Sequence, residues 1–396
     1  MLNFLSKMKG FHMIFLLLCG LVIAILVAGI QFFFNPMGLG PEPKTVLTHD
    51  FFANPVEDLS ELKLLIDGEE AFDTILAAID SAENSIYIQT YIWKDDSIGK
   101  QVVFQLKAAT QSGVKTTVRK DILGTVFELG DILKGKPSPV FTKAGLKEHK
   151  NIKVNLDLFA DTDHSKYFIV DERVVIFGGM NIADEYHIQW HDYMVLIRSS
   201  QWAKAFQNKV LNGEVWPDQS PFIIAVNDRH ATEIRTALIE LIDNTADSII
   251  IEHAYFSDDK VIEAVKQAAL RGVHVKIILP EKPDTHEYAN MVTINRLLAS
   301  VPAKSVAIYL FPKMSHAKVA LADGKIAVIG SANLTPRSML TSREVALFVH
   351  GKREDPFLKK LRHQLTADMN ESKAVVKPFH IGITDKVKAV AGKYMW

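Results

Sequence analysis

The chain has 396 residues, 48% of them hydrophobic and 23% charged, with a formal net charge of −1. This length and balance predict a globular protein with a sizeable core, organised as two domains or one doubled domain. Because the net charge is close to zero, the protein as a whole does not attract polyanions such as nucleic acids, and any such attraction must come from local basic patches. The single cysteine, Cys19, excludes a fold held by intramolecular disulfides.

The N-terminal segment predicts a membrane anchor. Residues 13–34 carry no charged side chain over 22 positions, and about 20 apolar helical residues cross a bilayer. Lys7 and Lys9 come before this segment. The positive-inside bias therefore predicts a single-pass protein of the cell membrane, with residues 1–12 in the cytoplasm and everything after residue 35 on the extracytoplasmic side. A cleaved signal peptide is the alternative, although its apolar region would be shorter, about 7–15 residues.

Proline and glycine predict a linker over residues 35–60. Beyond it, helix and strand patterns occur twice in the same order. The first set is a helix over 71–82, a strand over 85–93, a helix over 97–111 and a strand over 113–118; the second is a helix over 232–243, a strand over 248–256, a helix over 259–270 and a strand over 272–278.

This repetition predicts an α/β fold of two tandem similar modules, each a mixed sheet flanked by helices, with the active site at their interface. We place the first module at residues 61–216 and the second at 217–355. Residues 356–396 then form a C-terminal tail.

Both modules carry the pattern HxKxxxxD, at His164–Asp171 and at His316–Asp323. The agreement continues downstream, with glycine 14, asparagine 17 and an acid 28 residues after each histidine. These residues are Gly178 and Gly330, Asn181 and Asn333, and Asp192 and Glu344. One short motif can arise by chance, but two copies with matched satellites predict a doubled catalytic site.

The residue types suit phosphodiester chemistry. One histidine attacks phosphorus, and the other protonates the leaving alkoxide and then deprotonates the acceptor. Histidine and lysine two residues apart share one face of a strand, so both can reach the same phosphate. The residues expected to stabilise charge on the phosphate oxygens are Lys166, Lys318, Asn181 and Asn333.

The acids take two different roles. Asp192 and Glu344 are candidates for orienting the histidines and stabilising the cations that form, as in other triads. Asp171 and Asp323 face the opposite side of a continuous strand from the lysines and are predicted to be structural. Carboxylate clusters of the kind that a two-metal phosphodiesterase uses are not evident in the sequence, so we expect neither a metal nor a cofactor.

These residues resemble the phospholipase D superfamily over about residues 61–350, and within it the bacterial cardiolipin synthases. The segments similar to those synthases are residues 64–72, 86–93, 177–186 and 330–338. The resemblance implies a phosphatidyltransferase with a covalent phosphohistidine intermediate. It also implies His164 as the nucleophile, His316 as the acid and base, and a phospholipid substrate such as phosphatidylglycerol.

The chain departs from the synthases at Arg119–Gly124, where they carry Asp-Gly, at Ser342, where they carry asparagine, and in having one predicted span instead of two. A hydrolytic phospholipase D and a membrane-anchored, metal-independent nuclease therefore stay open as alternatives. A lysine-rich segment has two interpretations. It is either a basic rim that attracts anionic lipid headgroups, or nucleic-acid phosphates in the nuclease alternative, or it is an ordinary solvated loop. Its lysines are Lys134, Lys136, Lys143, Lys147, Lys150 and Lys153. No protein partner is predicted, and His191 is treated as an ordinary residue.

Overall fold

The computed structural model describes residues 44–147, 149–157, 162–228, 230–302 and 304–395. The predicted anchor at 13–34, the N-terminal tail and the start of the predicted linker lie outside these ranges. Among the residues that are described, no helix is both long enough and apolar enough to cross a bilayer.

Two mixed sheets form the centre of the fold. The strands of the first are β1 (Leu62–Ile66), β2 (Ser85–Thr90), β3 (Lys115–Asp121), β4 (Ile152–Asp157), β5 (Tyr167–Val170), β6 (Val174–Gly178) and β7 (Tyr193–Arg198). Those of the second are β8 (Ile223–Asn227), β9 (Ser248–His253), β10 (His274–Pro280), β11 (Val306–Phe311), β12 (Lys318–Ala322), β13 (Ile326–Gly330), β14 (Glu344–His350) and β15 (Lys373–Ala374).

The two sheets share one topology. The strand order is β1-β7-β6-β5-β2-β3-β4 in the first sheet and, read in the same direction, β8-β14-β13-β12-β9-β10-β11-β15 in the second. Each of β8 to β14 thus takes the place of the strand seven earlier, and β15 is an addition at one edge. The predicted pair of tandem mixed-sheet modules is confirmed.

Helices connect the strands and cover the sheets. They are α1 (His49–Ala53), α2 (Asp67–Asp80), α3 (Ser97–Gln111), α4 (Leu129–Leu133), α5 (Ser200–Asn212), α6 (Glu233–Asn244), α7 (Asp259–Arg271), α8 (Glu287–Ser300), α9 (Pro336–Leu340), α10 (Pro356–Glu371) and α11 (Ile383–Met395). Shorter helical turns lie at Ile122–Glu128, Pro139–Phe141 and Glu185–Gln189.

The sheets pack face to face, because alternate residues of each strand point to opposite sides. Tyr167 and Phe177 of the first sheet share one apolar layer with Val319 and Ile329 of the second. The alternate residues pack under helices, such as Ile88 and Phe168 in the core that includes α2 and α3. The result is a helix–sheet–sheet–helix arrangement that joins the modules along their inner faces.

The segments on either side of the modules are folded against them. Phe357 and Leu361 of α10 enter the inter-sheet layer, so the predicted tail at 356–396 begins as a packed helix. At the other end, the amides of Val46 and Leu47 donate to the Glu240 carboxylate. The described part of the predicted linker therefore packs on the second module.

Candidate active site

The two histidines lie where the modules meet. His164 is just before β5, which pairs with the end of β2, and His316 is just before β12, which pairs with the end of β9. Both therefore stand at the same end of their sheets and line one cleft. The motif lysines, Lys166 and Lys318, are buried beside them, and each ammonium donates to the carbonyl of its own histidine.

Each histidine is paired with the acid of the other module. His164 Nδ1 lies 2.9 Å from Glu344 Oε1, and His316 Nδ1 lies 2.7 Å from Asp192 Oδ2. The structure thus brings both predicted acids to the histidines, with their assignments exchanged across the interface. Since Nδ1 is engaged in both rings, Nε2 is the nitrogen left for chemistry.

Burial sets the electrostatics of the site. Burial, reinforced by the charge of Lys166, lowers the pKa of His164 to about 4, so its free form at neutral pH is uncharged. Burial also raises the pKa of Asp192 to about 7 and lowers the pKa of Lys166 to about 7. Burial acts to raise the pKa of Glu344, but His164 and Lys166 outweigh it, so this pKa is lowered and Glu344 stays an anion.

The two predicted asparagines line the same cleft. Asn181 Oδ1 accepts a hydrogen bond of 3.0 Å from the Ile92 amide. This contact orients the side chain so that its NH2 group remains a donor. Asn333 Oδ1 is buried and has no hydrogen-bond partner among the described residues. Both amides are therefore positioned to meet a group bound in the cleft.

A glycine allows one of the acids to approach its histidine. A Cβ at Gly179 would lie only 2.3 Å from Asp192 Oδ1, so any side chain there would displace the carboxylate. In the second module Ser331 takes the corresponding place, and its hydroxyl donates to Glu344 Oε2 at 2.5 Å. Ser338 donates to the other oxygen of Glu344 at 2.7 Å. The longer acid is thus held by hydroxyls.

The motif aspartates lie away from the cleft and hold turns. Asp171 accepts the backbone amides of residues 83–85 at 2.7–2.8 Å. Asp323 accepts those of residues 246–248 at 2.8–3.0 Å. Each carboxylate thereby ties the hairpin after its motif to the start of the central strand, β2 or β9.

A comparison with known proteins places this geometry in a family. The model of the family described as cardiolipin synthase, PLD-like domain, matches residues 75–212 and 238–370. These two matches cover both modules. The chain belongs to the phospholipase D-like family of cardiolipin synthases. The family predicted from the doubled motif is confirmed.

Individual relatives agree. The chain is 26% identical to a cardiolipin synthase of Clostridium perfringens strain 13, over 82% of this chain and 76% of that protein. It is 27% identical to a cardiolipin synthase of Geobacillus kaustophilus, over 89% and 76%. The crystal structure of phosphatidylserine synthase from Haemophilus influenzae superposes with a TM-score of 0.64 at 14% identity, covering 86% of this chain and 93% of that one. The last likeness concerns the fold alone.

Several cleft residues were not predicted from the sequence. The Tyr91 ring stands edge-on to His164 at 4.9 Å, and the Tyr186 ring edge-on to His316 at 5.1 Å. Arg337 Nη2 donates to Thr162 Oγ1 at 2.7 Å and lines the cleft with Asp284. Tyr91 directly follows strand β2, and this placement at a strand end was the one signal available for it.

His191 belongs to a buried polar cluster beside the site. Candidate ligand atoms of His191, Glu252 and Asp368 lie within 4.8 Å of one another. The Tyr193 hydroxyl lies among them, 3.0 Å from His191 Nε2, 3.2 Å from Glu252 and 3.0 Å from Asp368. Burial opposes a charge on His191, but Glu252, Asp368 and Asp67 raise its pKa. The cluster is thus a set of mutual ion pairs and hydrogen bonds.

The lysines of the predicted basic segment do not all lie at one end of the first sheet. All six are exposed, and Lys134 and Lys136 directly follow α4, which comes after the cleft residue Phe127 in the chain. Lys150 and Lys153 lie at the start of β4, which pairs with the start of β3. That end of the sheet is opposite the cleft.

Proposed function

We propose that this chain is a phosphatidyltransferase similar to cardiolipin synthase, acting on phospholipid phosphodiesters through a phosphohistidine intermediate. The observation that carries the proposal is the pair of histidines, each hydrogen-bonded through Nδ1 to an acid of the other module. The family match over both modules and the cardiolipin synthases among the relatives support the same activity.

In the first step, His164 Nε2 attacks the phosphorus of the donor lipid. A phosphorus–nitrogen bond forms, the bond to the leaving alkoxide breaks, and His316 gives that alkoxide its proton. Because burial keeps His164 uncharged before the attack, its lone pair is available. The Glu344 carboxylate, 2.9 Å from Nδ1, then stabilises the positive charge that the ring acquires.

In the second step, His316 removes the proton of the acceptor alcohol, and the alcohol oxygen displaces His164 from phosphorus. Asp192, 2.7 Å from His316 Nδ1, holds the ring for both proton transfers. The buried ammonium groups of Lys166 and Lys318, with the amides of Asn181 and Asn333, stabilise negative charge on the phosphoryl oxygens. Every proton and bond is thus accounted for within the chain and its two substrates.

With phosphatidylglycerol as both donor and acceptor, the products are cardiolipin and glycerol. Replacing the acceptor by water gives a phospholipase D, and replacing the lipid by a polynucleotide gives a nuclease. The positions of Lys150 and Lys153 favour lipid, because these two lysines lie at the end of the sheet opposite the cleft and do not extend a basic track from it. Hydrolysis and transfer share the phosphohistidine step and differ in the product formed.

The experiment is to incubate the purified full chain with phosphatidylglycerol and to identify the lipids by mass spectrometry. We expect cardiolipin from the parent protein and none from His164→Ala. His274→Ala is the matched control, since His274 is exposed at the start of β10, away from the cleft. Phosphatidic acid as the sole product would establish the hydrolase. Cleavage of single-stranded DNA without lipid turnover would establish the nuclease.

We also propose that residues 13–34 anchor the enzyme as a single span of the cell membrane, with the modules on the extracytoplasmic side. The support is the uncharged 22-residue segment with Lys7 and Lys9 before it. A C-terminal fusion of alkaline phosphatase, which is active only outside the cytoplasm, tests the orientation. Activity of a cytoplasmic reporter at the same position would reverse it.

A further inference from the structure

The C-terminal helix α11 has an apolar face that is largely exposed. Its side chains Ile383, Val387 and Val390 are 84%, 66% and 59% exposed. Spacings of four and three residues place these three side chains on one side of a helix. The opposite side carries Ala389, which is buried. One face of α11 therefore holds the helix in place, and the other presents an apolar stripe.

The C-terminal end of α11 lies beside the cleft, on the side of the helix opposite the stripe. Position 392 of α11 approaches His286, a cleft residue, since a Cβ built on Gly392 would lie 3.7 Å from His286 Cα. Lys388 lies 4.8 Å from the centre of the Tyr288 ring. Lys393 is 2.6 Å from Asp259, at the start of α7. These contacts hold α11 against the cleft end of the second module.

Two further exposed apolar side chains lie on the first module. Phe127 lines the cleft and is partly exposed, and Leu133, six residues later at the end of α4, is 75% exposed. The exposed Lys134 and Lys136 follow directly. Exposed apolar side chains with lysines close to them in the chain thus occur in an element near the cleft in each module.

We propose that the stripe of α11, together with Leu133, is a docking surface that inserts into the headgroup region of an anionic bilayer and turns the cleft toward its lipid. This inference rests on the proposed function, since it assumes a substrate held in a membrane. An amphipathic helix with lysines at its polar edge suits this role, because apolar burial and attraction to anionic lipid act together. Lys386, exposed next to the stripe, adds to that attraction.

The size of the stripe argues against a second copy of the chain as its occupant. Stable protein interfaces engage about 20–30 residues on each side, whereas the stripe offers three side chains. A bilayer requires no matching partner surface. Three side chains that enter it to a depth of about 5–10 Å are enough to orient a protein already attracted by charge.

Lipid-borne quenching tests the inference in the full chain. In a Cys19→Ser background, Val387→Cys carries an environment-sensitive dye, and the protein is reconstituted into vesicles of phosphatidylcholine and phosphatidylglycerol that contain spin-labelled lipid. We expect a blue shift and strong quenching. Leu270→Cys is the matched control and should show neither change. Leu270 is exposed near the end of α7, just before β10 begins at the end of the sheet away from His316.

A second variant separates docking from chemistry. Val387→Asp with Val390→Asp should lower the rate on vesicles by about tenfold, because each apolar side chain lost from the interface weakens binding severalfold. The rate on short-chain phosphatidylglycerol dissolved as monomers should be unchanged. An equal loss on both substrates would overturn the proposal, as would a dye at position 387 that lipid does not quench. Cross-linking between copies through that position would assign the stripe to self-association instead. Quenching without turnover by the parent chain would leave docking intact and refute the proposed function.

Discussion

Replacement of Glu344 by glutamine isolates the charge that the second module supplies to His164. The two side chains have nearly equal size, and Glu344 is fully buried, so the variant changes charge with little change in packing. The His164 ring is uncharged before attack because burial lowers its pKa to about 4. The substitution therefore acts mainly on the state in which phosphorus is bonded to Nε2 and the ring is positive.

The magnitude follows from the contact distance. His164 Nδ1 and Glu344 Oε1 are 2.9 Å apart, which puts the centres of the two charges about 4 Å apart. With an effective dielectric constant of about 20, the attraction between unit charges is then about 4 kcal/mol. Each 1.36 kcal/mol is tenfold in rate, so kcat should fall by about a thousandfold. KM should change little, because the lost attraction appears only after the ground state.

The assay is steady-state formation of cardiolipin from phosphatidylglycerol by the parent and the variant. The matched control is Glu240→Gln, whose carboxylate binds the Val46 and Leu47 amides away from the cleft. Circular dichroism and thermal unfolding show whether both variants are folded. A Glu344→Gln enzyme with kcat within about threefold of the parent would refute stabilisation of the His164 cation by this acid.

Three further predictions concern the other groups. Attack needs uncharged His164, with a pKa of about 4, and a proton on the Asp192–His316 pair, where burial raises the pKa of Asp192 to about 7. The value of kcat/KM should therefore be level between these pH values and fall as pH rises through about 7, and a profile that rises there would contradict the assignment. His316→Ala should accumulate His164 that carries the phosphatidyl group of a donor with a good leaving group, seen as the added mass of that group on the intact protein; an unmodified protein would exclude this order of steps. Asp171→Ala should lower the free energy of unfolding by about 2 kcal/mol, because three backbone amides lose a charged acceptor, while activity per folded molecule is retained; loss of kcat in folded protein would give Asp171 a chemical role.

The repeated patterns predicted the modules well, since the period of apolar residues reflects which side of each element is buried. The helix predicted over 97–111 is observed as Ser97–Gln111. The strand predicted over 85–93 ends earlier, at Thr90. Its apolar run continues because the next residues are buried too, but the Ile92 amide binds the Asn181 side chain instead of a neighbouring strand. Composition alone does not distinguish a buried residue within a strand from a buried residue in the loop that follows it.

The exchange of acids lay beyond sequence reasoning. Matched spacing identified Asp192 and Glu344, because both follow their motif histidines by the same number of residues. Which histidine each one binds depends on how the sheets pack, and the partners are 124 and 180 positions apart. The role of residues 356–371 was also missed. The repeat did offer a template, because α5 follows β7 as α10 follows β14, and Trp202 and Phe206 of α5 lie in the same inter-sheet layer.

The two histidine–acid hydrogen bonds between the modules also suggest how the doubled chain arose and why both modules are needed together. Within one module the histidine and the acid do not contact each other. A single module with the same geometry would therefore need a second copy of itself, so that each subunit of a symmetric pair lends its acid to the other. In the fused chain, each histidine likewise depends on the acid of the other module. If the modules separate, both Nδ1 contacts are lost together, and neither histidine keeps the acid that orients it.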